Sequence, residues 1–162
     1  DDAILCSNFL SRMNIVHEFL TYETEGNWDV VNGYVCQIET SKNIIGYYEY
    51  KGQIFLKLKK MVGTVGNLYN KRALERLVDF SFEIAKTNQS SEYHIDRFLN
   101  FDGIEIIVPY PFLADIQPVN STICNTNHLI AYKWFKNEEK KTIHIIEQFI
   151  KETPPLDILL NN

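Results

Sequence analysis

The chain has 162 residues, 45% of them apolar and 23% charged, which is enough for one packed core and excludes long-range disorder. Its formal net charge of -5 excludes a uniformly basic nucleic-acid binder. No run of about 18 apolar residues occurs, so no membrane-spanning helix is expected.

Charge is unevenly distributed. Lys51, Lys57, Lys59, Lys60, Lys71, Arg72 and Arg76 fall in one stretch, while Asp1, Asp2, Glu18, Glu23, Glu25 and Asp29 gather near the start. An acidic protein can therefore still meet an anion locally. The chain opens at Asp1 without Met and shows no secretory signal. An upstream segment and an intracellular location are accordingly expected.

In chain order, residues 3–13 carry Ile4, Leu5, Phe9, Leu10 and Met13 on one stripe and are predicted helical. Residues 34–39 and 44–50 are rich in β-formers and flank a turn-like Thr40, Ser41, Lys42, Asn43, which predicts a hairpin between them. Lys51 and Gly52 end its second strand. Residues 53–65 place Ile54, Phe55, Leu58, Met61, Val62 and Val65 on one helical face, so a helix is predicted there, with close packing as the reason for Gly63. A second helix is predicted over 73–86, with Leu74, Leu77, Val78 and Phe82 inward. Residues 103–108 read as a buried strand ended by Pro109 and Pro111. Residues 114–135 give no clear assignment. Asn137 is predicted to cap a last helix whose stripe is Ile143, Ile146, Phe149 and Ile150, with Pro154 and Pro155 as its stop. Together these elements predict an α+β fold, an antiparallel sheet with helices packed on one face.

No catalytic set is complete on pattern alone. There is no nucleophile elbow, and His17, His94, His128 and His144 are scattered. Cys6, Cys36 and Cys124 form no C-x-x-C pair, so no metal is expected. The Gly63 to Gly66 spacing matches neither phosphate-binding glycine pattern, and Glu138 and Glu139 read as helix-start charges.

One stretch points further. Gly52, Gln53, Phe55, Lys60, Met61, Val62 and Gly63 fit the segment G-Q-x-F-(M/L)-x-x-Q-(I/V)-R-K-M-V-G, with Lys59 where that pattern has arginine and two residues fewer before it. His17, Glu18 and Phe19, followed by Tyr22, fit H-D-F-x-x-F. Asp102 to Tyr110 resemble a closing G-L-x-L-x-x-V-x-Y strand. In this order and over residues 3–111, the chain resembles the second half of tRNA pseudouridine synthases of the TruA type.

The resemblance implies a half-domain of that kind over residues 1–112, with residues 113–162 as an extension and C-terminal helix in the same compact unit. It implies a helix at the G-Q-x-F segment and one wall of a basic RNA cleft. Within that cleft a tRNA uridine becomes pseudouridine without a cofactor. It implies RNA contacts from Lys57, Lys59 and Lys60, with Lys59 supporting the active site. His17, Phe19, Gln53, Phe55, Gly63 and Gly103 would be structural. The family's catalytic aspartate lies in an R-T-D-x-G-V-H-A segment of the first half, which this sequence lacks, so the implied partners are tRNA or another structured RNA and an N-terminal half. The alternatives are a non-catalytic RNA-binding or ribonucleoprotein subunit and an acidic protein-interaction module.

Overall fold

The structure, a computed structural model, describes residues 3–63, 65–86, 100, 103–117 and 128–157, of which 84–86 and 128–131 by their backbone alone. The described elements are β1 (Ala3–Leu5), α1 (Phe9–Glu18), β2 (Val30–Val31), β3 (Ile44–Tyr50), β4 (Gln53–Leu58), β5 (Leu68–Tyr69), α2 (Lys71–Lys86), β6 (Ile106–Tyr110), β7 (Ala114–Ile116) and α3 (His128–Glu152). Five strands form one sheet in the order β3-β4-β6-β2-β5, and β1 and β7 form a separate two-stranded ribbon.

The fold is α+β, but helices cover both faces of the main sheet rather than one. Side chains alternate across each strand. Phe55, Ile107 and Val31 point to one face, where α1 packs Val16 and the following π-helical turn (Phe19–Glu23) packs Phe19 and Leu20. Leu56, Leu58, Ile106, Val108 and Val30 point to the other, against Ala73 of α2 and Ile146 of α3. The sheet is mixed, because β2 runs parallel to β6 while every other pairing is antiparallel.

This double coverage explains the largest departure from expectation. Residues 53–65 are not a helix: Gln53–Leu58 is the interior strand β4, paired on both sides. A strand buried on both faces reads as a continuous apolar run and hides its period of two. Phe55 is fully buried and stacks on Phe19 with ring centroids 4.0 Å apart. Removing such a ring from water stabilises the fold by about 2–3 kcal/mol.

The hairpin is also re-paired. β3 joins β4 through Lys51 and Gly52, both at positive φ (48° and 74°), the two-residue turn whose twist matches the strands. Residues 34–39 make only isolated bridges, Tyr34 to Val65 and Gln37 to Val62. Gly63, at φ 123°, lies in that bridge. A Cβ there would sit 3.0 Å from the Cys36 amide nitrogen, so close packing does favour this glycine, but backbone against backbone.

Residues 3–5 are strand rather than helix because β1 is held by β7, Ala3 opposite Ile116, a pairing that no local window registers. α1 then starts at Phe9 and turns Phe9, Met13 and Val16 inward. α2 forms as expected but is rotated: Ala73, Leu77 and Phe80 face the core, while Leu74, Val78 and Phe82 remain 48%, 52% and 65% exposed. Pro109 lies inside β6 rather than ending it. Asn32 of the parallel neighbour donates to the Ile107 carbonyl, so two residues on, Pro109 faces past the end of β2, where no donor is needed. α3 begins at His128, so Asn137 is mid-helix and caps nothing. The helix stops at Glu152, ahead of Pro154 and Pro155. Leu156 then bonds back to Tyr47, N–H to carbonyl at 2.7 Å, and covers the β3 edge at Gly46. His94 and Cys124 lie outside the described residues.

Candidate nucleic-acid interface

The three lysines expected to meet RNA differ in their surroundings. Lys57 lies opposite Ile107 in the sheet, one step along the same face from Glu105, and forms an ion pair with it. That pairing neutralises the Lys57 charge. Lys59 and Lys60 follow the last residue of β4 and are exposed. The Lys59 amide donates to the Asn43 carbonyl at 2.8 Å, which draws the 40–43 turn alongside. This adds Lys42, also exposed, which sequence reading noted only as part of a turn. Among the described residues no carboxylate lies within ion-pair distance of Lys42, Lys59 or Lys60. The fold therefore gathers three unneutralised cations at the corner where β3 starts and β4 ends.

Other cations are already engaged. Lys51 pairs with Glu18, and that bond raises its pKa. Arg72 donates from Nε to Asp29 Oδ1 at 2.8 Å, and Arg76 lies 3.7 Å from Oδ2. Asp29 is 1% exposed and also accepts the Glu105 amide at 2.8 Å, so one buried carboxylate joins β2, α2 and the entry to β6. Its hydrogen bond to Arg72 raises the guanidinium pKa. Gly103, at φ 80°, offers its carbonyl to Arg76 at 2.9 Å. Arg12 bonds Gln53 Oε1 at 2.8 Å, the Phe112 carbonyl at 3.0 Å and the Pro111 carbonyl. Gln53 in turn donates to the Tyr110 carbonyl at 2.7 Å. Gln53, Phe55, Phe19, Gly63 and Gly103 are thus all placed in structural contacts. His17 is exposed in the last turn of α1 and accepts the Thr21 hydroxyl at its carbonyl, 2.7 Å.

Two further features have no counterpart in the sequence reading. An open groove of about 360 Å³ between α1 and β5 is lined mainly by Met13, Val16, Leu20, Trp28, Leu68 and Tyr69. Its lining is largely apolar, which does not suit an anion. Tyr34 is buried, and among the described residues its hydroxyl makes no hydrogen bond. Burial raises its pKa and the nearby Glu139 raises it further, although no hydrogen bond of acceptable geometry joins the two. Glu139 is instead held by Lys136 at 2.5 Å, and Lys136 also reaches Asp115 at 2.7 Å. Burial works to lower the Lys136 pKa, but these two acceptors outweigh it and the net shift is upward.

No group of three or more metal-binding side chains occurs among the described residues, and no described helix is long and apolar enough to cross a membrane. Comparison with known proteins finds no matching family model, no matching curated protein and no matching solved structure.

Proposed function

We propose that this domain binds RNA by its phosphate backbone, through the corner formed by Lys42, Lys59 and Lys60, and serves as a binding wall rather than as the catalytic part. The observation that carries this reading is the set of three exposed lysines without carboxylate partners among the described residues, in a chain whose Lys57, Arg72, Lys136 and Lys141 are all ion-paired. Unpaired ammonium groups are the ones free to displace counterions from a phosphate backbone.

The resemblance supports a finer reading, in which this wall belongs to a tRNA uridine-to-pseudouridine isomerase whose catalytic aspartate sits in a separate N-terminal half. The order of the matched motifs favours it. The strand over Gln53–Leu58, where the resemblance implies a helix, weighs against it.

The test is binding of labelled tRNA by the wild-type chain, the K42E/K59E/K60E variant and K71E, which reverses an exposed lysine on α2 at the other edge of the sheet. The triple variant is expected to lose most of its affinity and K71E to keep it. Equal loss in both would mean that net charge, not this corner, governs binding, and the proposal would fall.

A further inference from the structure

One open edge of the main sheet lies beside the apolar groove. Wherever they pair, residues 29–37 and 62–70 keep one register: Val30 opposite Tyr69, Val31 opposite Leu68, Tyr34 opposite Val65 and Gln37 opposite Val62. The Asn70 amide donates to the Asp29 carbonyl at 2.9 Å. Main-chain groups alternate along an antiparallel strand, so Leu68 bonds inward to β2 and Tyr69 turns its N–H and C=O outward. β5 is the last strand in the sheet order, and among the described residues nothing pairs with that outer side.

α1 stands beside this edge. Met13, Val16, His17, Leu20 and Thr21 recur at i, i+3, i+4, i+7 and i+8 along α1 and the π-helical turn, and form one wall of the groove of about 360 Å³. Trp28, Leu68 and Tyr69 form the other. Leu68 shares the α1 face of the sheet with Val31, yet it is 42% exposed. A strand added beyond β5 would cover it and send alternate side chains into the groove. The charge nearby is acidic. The segment from Thr21 to Trp28 joins the two walls and carries Glu23 and Glu25. The cations that follow β5 are paired, Lys71 with Glu75 at 3.8 Å and Arg72 with Asp29 at 2.8 Å.

We infer that the groove between α1 and β5 is a strand-addition site for an extended, basic segment of another protein, whose alternate apolar side chains enter the groove. Main-chain bonds to Tyr69 hold the segment, and the groove selects its side chains. Glu23 and Glu25 set the sign of the charge that flanks those side chains. The site is separate from the lysine corner. Lys59 and Lys60 follow β4 and Lys42 precedes β3, whereas β5 ends the sheet on the opposite side. The inference therefore stands independently of the RNA reading.

The experiment uses the whole chain carrying W134F, which leaves Trp28, in the groove wall, as its only tryptophan. It is titrated with a short peptide alternating valine and lysine, and with the same peptide carrying glutamate for lysine. The lysine peptide is expected to shift Trp28 emission to shorter wavelength and to saturate, and the glutamate peptide is not. E23K/E25K should weaken the lysine peptide severalfold. Two further lysine peptides each carry one N-methyl group, on adjacent central amides. Only alternate amides of an added strand face β5, so one of the two should bind about tenfold more weakly and the other as the parent does. An unmoved Trp28 emission, equal effects of the two N-methyl groups, or a glutamate peptide that binds as tightly would each overturn the inference. None of these results bears on RNA binding at the lysine corner.

Discussion

At the scale of single residues, buried polar groups set the stability. Asp29 is 1% exposed and satisfies Arg72 and the Glu105 amide together. D29N would leave an arginine without its counter-ion and remove charge from a bond to a backbone N–H. The arginine is half exposed, so we expect a loss of about 2 kcal/mol, below the range for a fully buried pair, measured by urea denaturation. Tyr34 presents the opposite case, because its buried hydroxyl has no partner among the described residues. Y34F should stabilise the fold by about 1 kcal/mol, since an unmade hydrogen bond is relieved. A less stable Y34F would show that the hydroxyl is satisfied in solution. Alkali acts on the same groups. Tyr110 donates to Glu147 at 3.1 Å, and burial followed by that bond pushes its pKa up to about 12. Burial and Glu139 push Tyr34 upward as well. Both pKa values are raised in the folded state, so the folded chain keeps protons that the unfolded chain releases near its ordinary tyrosine pKa of about 10. Stability should hold below that pH and fall above it, and Y34F should soften the fall.

At the scale of elements, what was legible followed from what was local. α2, β3 and the end of α3 were readable from period and turn residues, since each signal lies within the element. β4 was not, because Phe55 serves one face and Leu56 and Leu58 the other, which erases alternation. β1 was not, because Ile4 and Leu5 are fixed by Asp115 and Ala114 across the chain. Lys51 and Gly52 carried the correct stop, but their meaning as a tight hairpin turn depended on recognising the strand beyond them. Two substitutions test this pairing. K51N places a residue that tolerates positive φ at 48° and should raise stability by a few tenths of a kcal/mol, whereas a helix over 53–65 would leave it neutral. G46V should cost about 1–3 kcal/mol, because even a Cβ at Gly46 falls 2.6 Å from Leu156, and the tail must leave the β3 edge.

At the scale of the whole molecule, charge placement matters more than its sum. A net charge of -5 argues against RNA binding only if the charges are evenly spread. Seven lysines and arginines of the described residues sit in ion pairs, and Lys42, Lys59 and Lys60 have no carboxylate partner among those residues. Of this arrangement the sequence showed Lys59 and Lys60. It did not show that Glu105 neutralises Lys57, nor that a backbone bond from Lys59 to Asn43 brings Lys42 alongside, because both depend on sheet register.

The measurement that bears most directly on this account is the salt dependence of RNA affinity between about 50 and 200 mM. Three phosphate contacts, one for each corner lysine, should give a slope of log affinity against log salt of about -2 to -3, and K42E/K59E/K60E should flatten it by about 2. A slope near zero, or one that the triple variant leaves unchanged, would contradict the claim that this corner binds the RNA backbone.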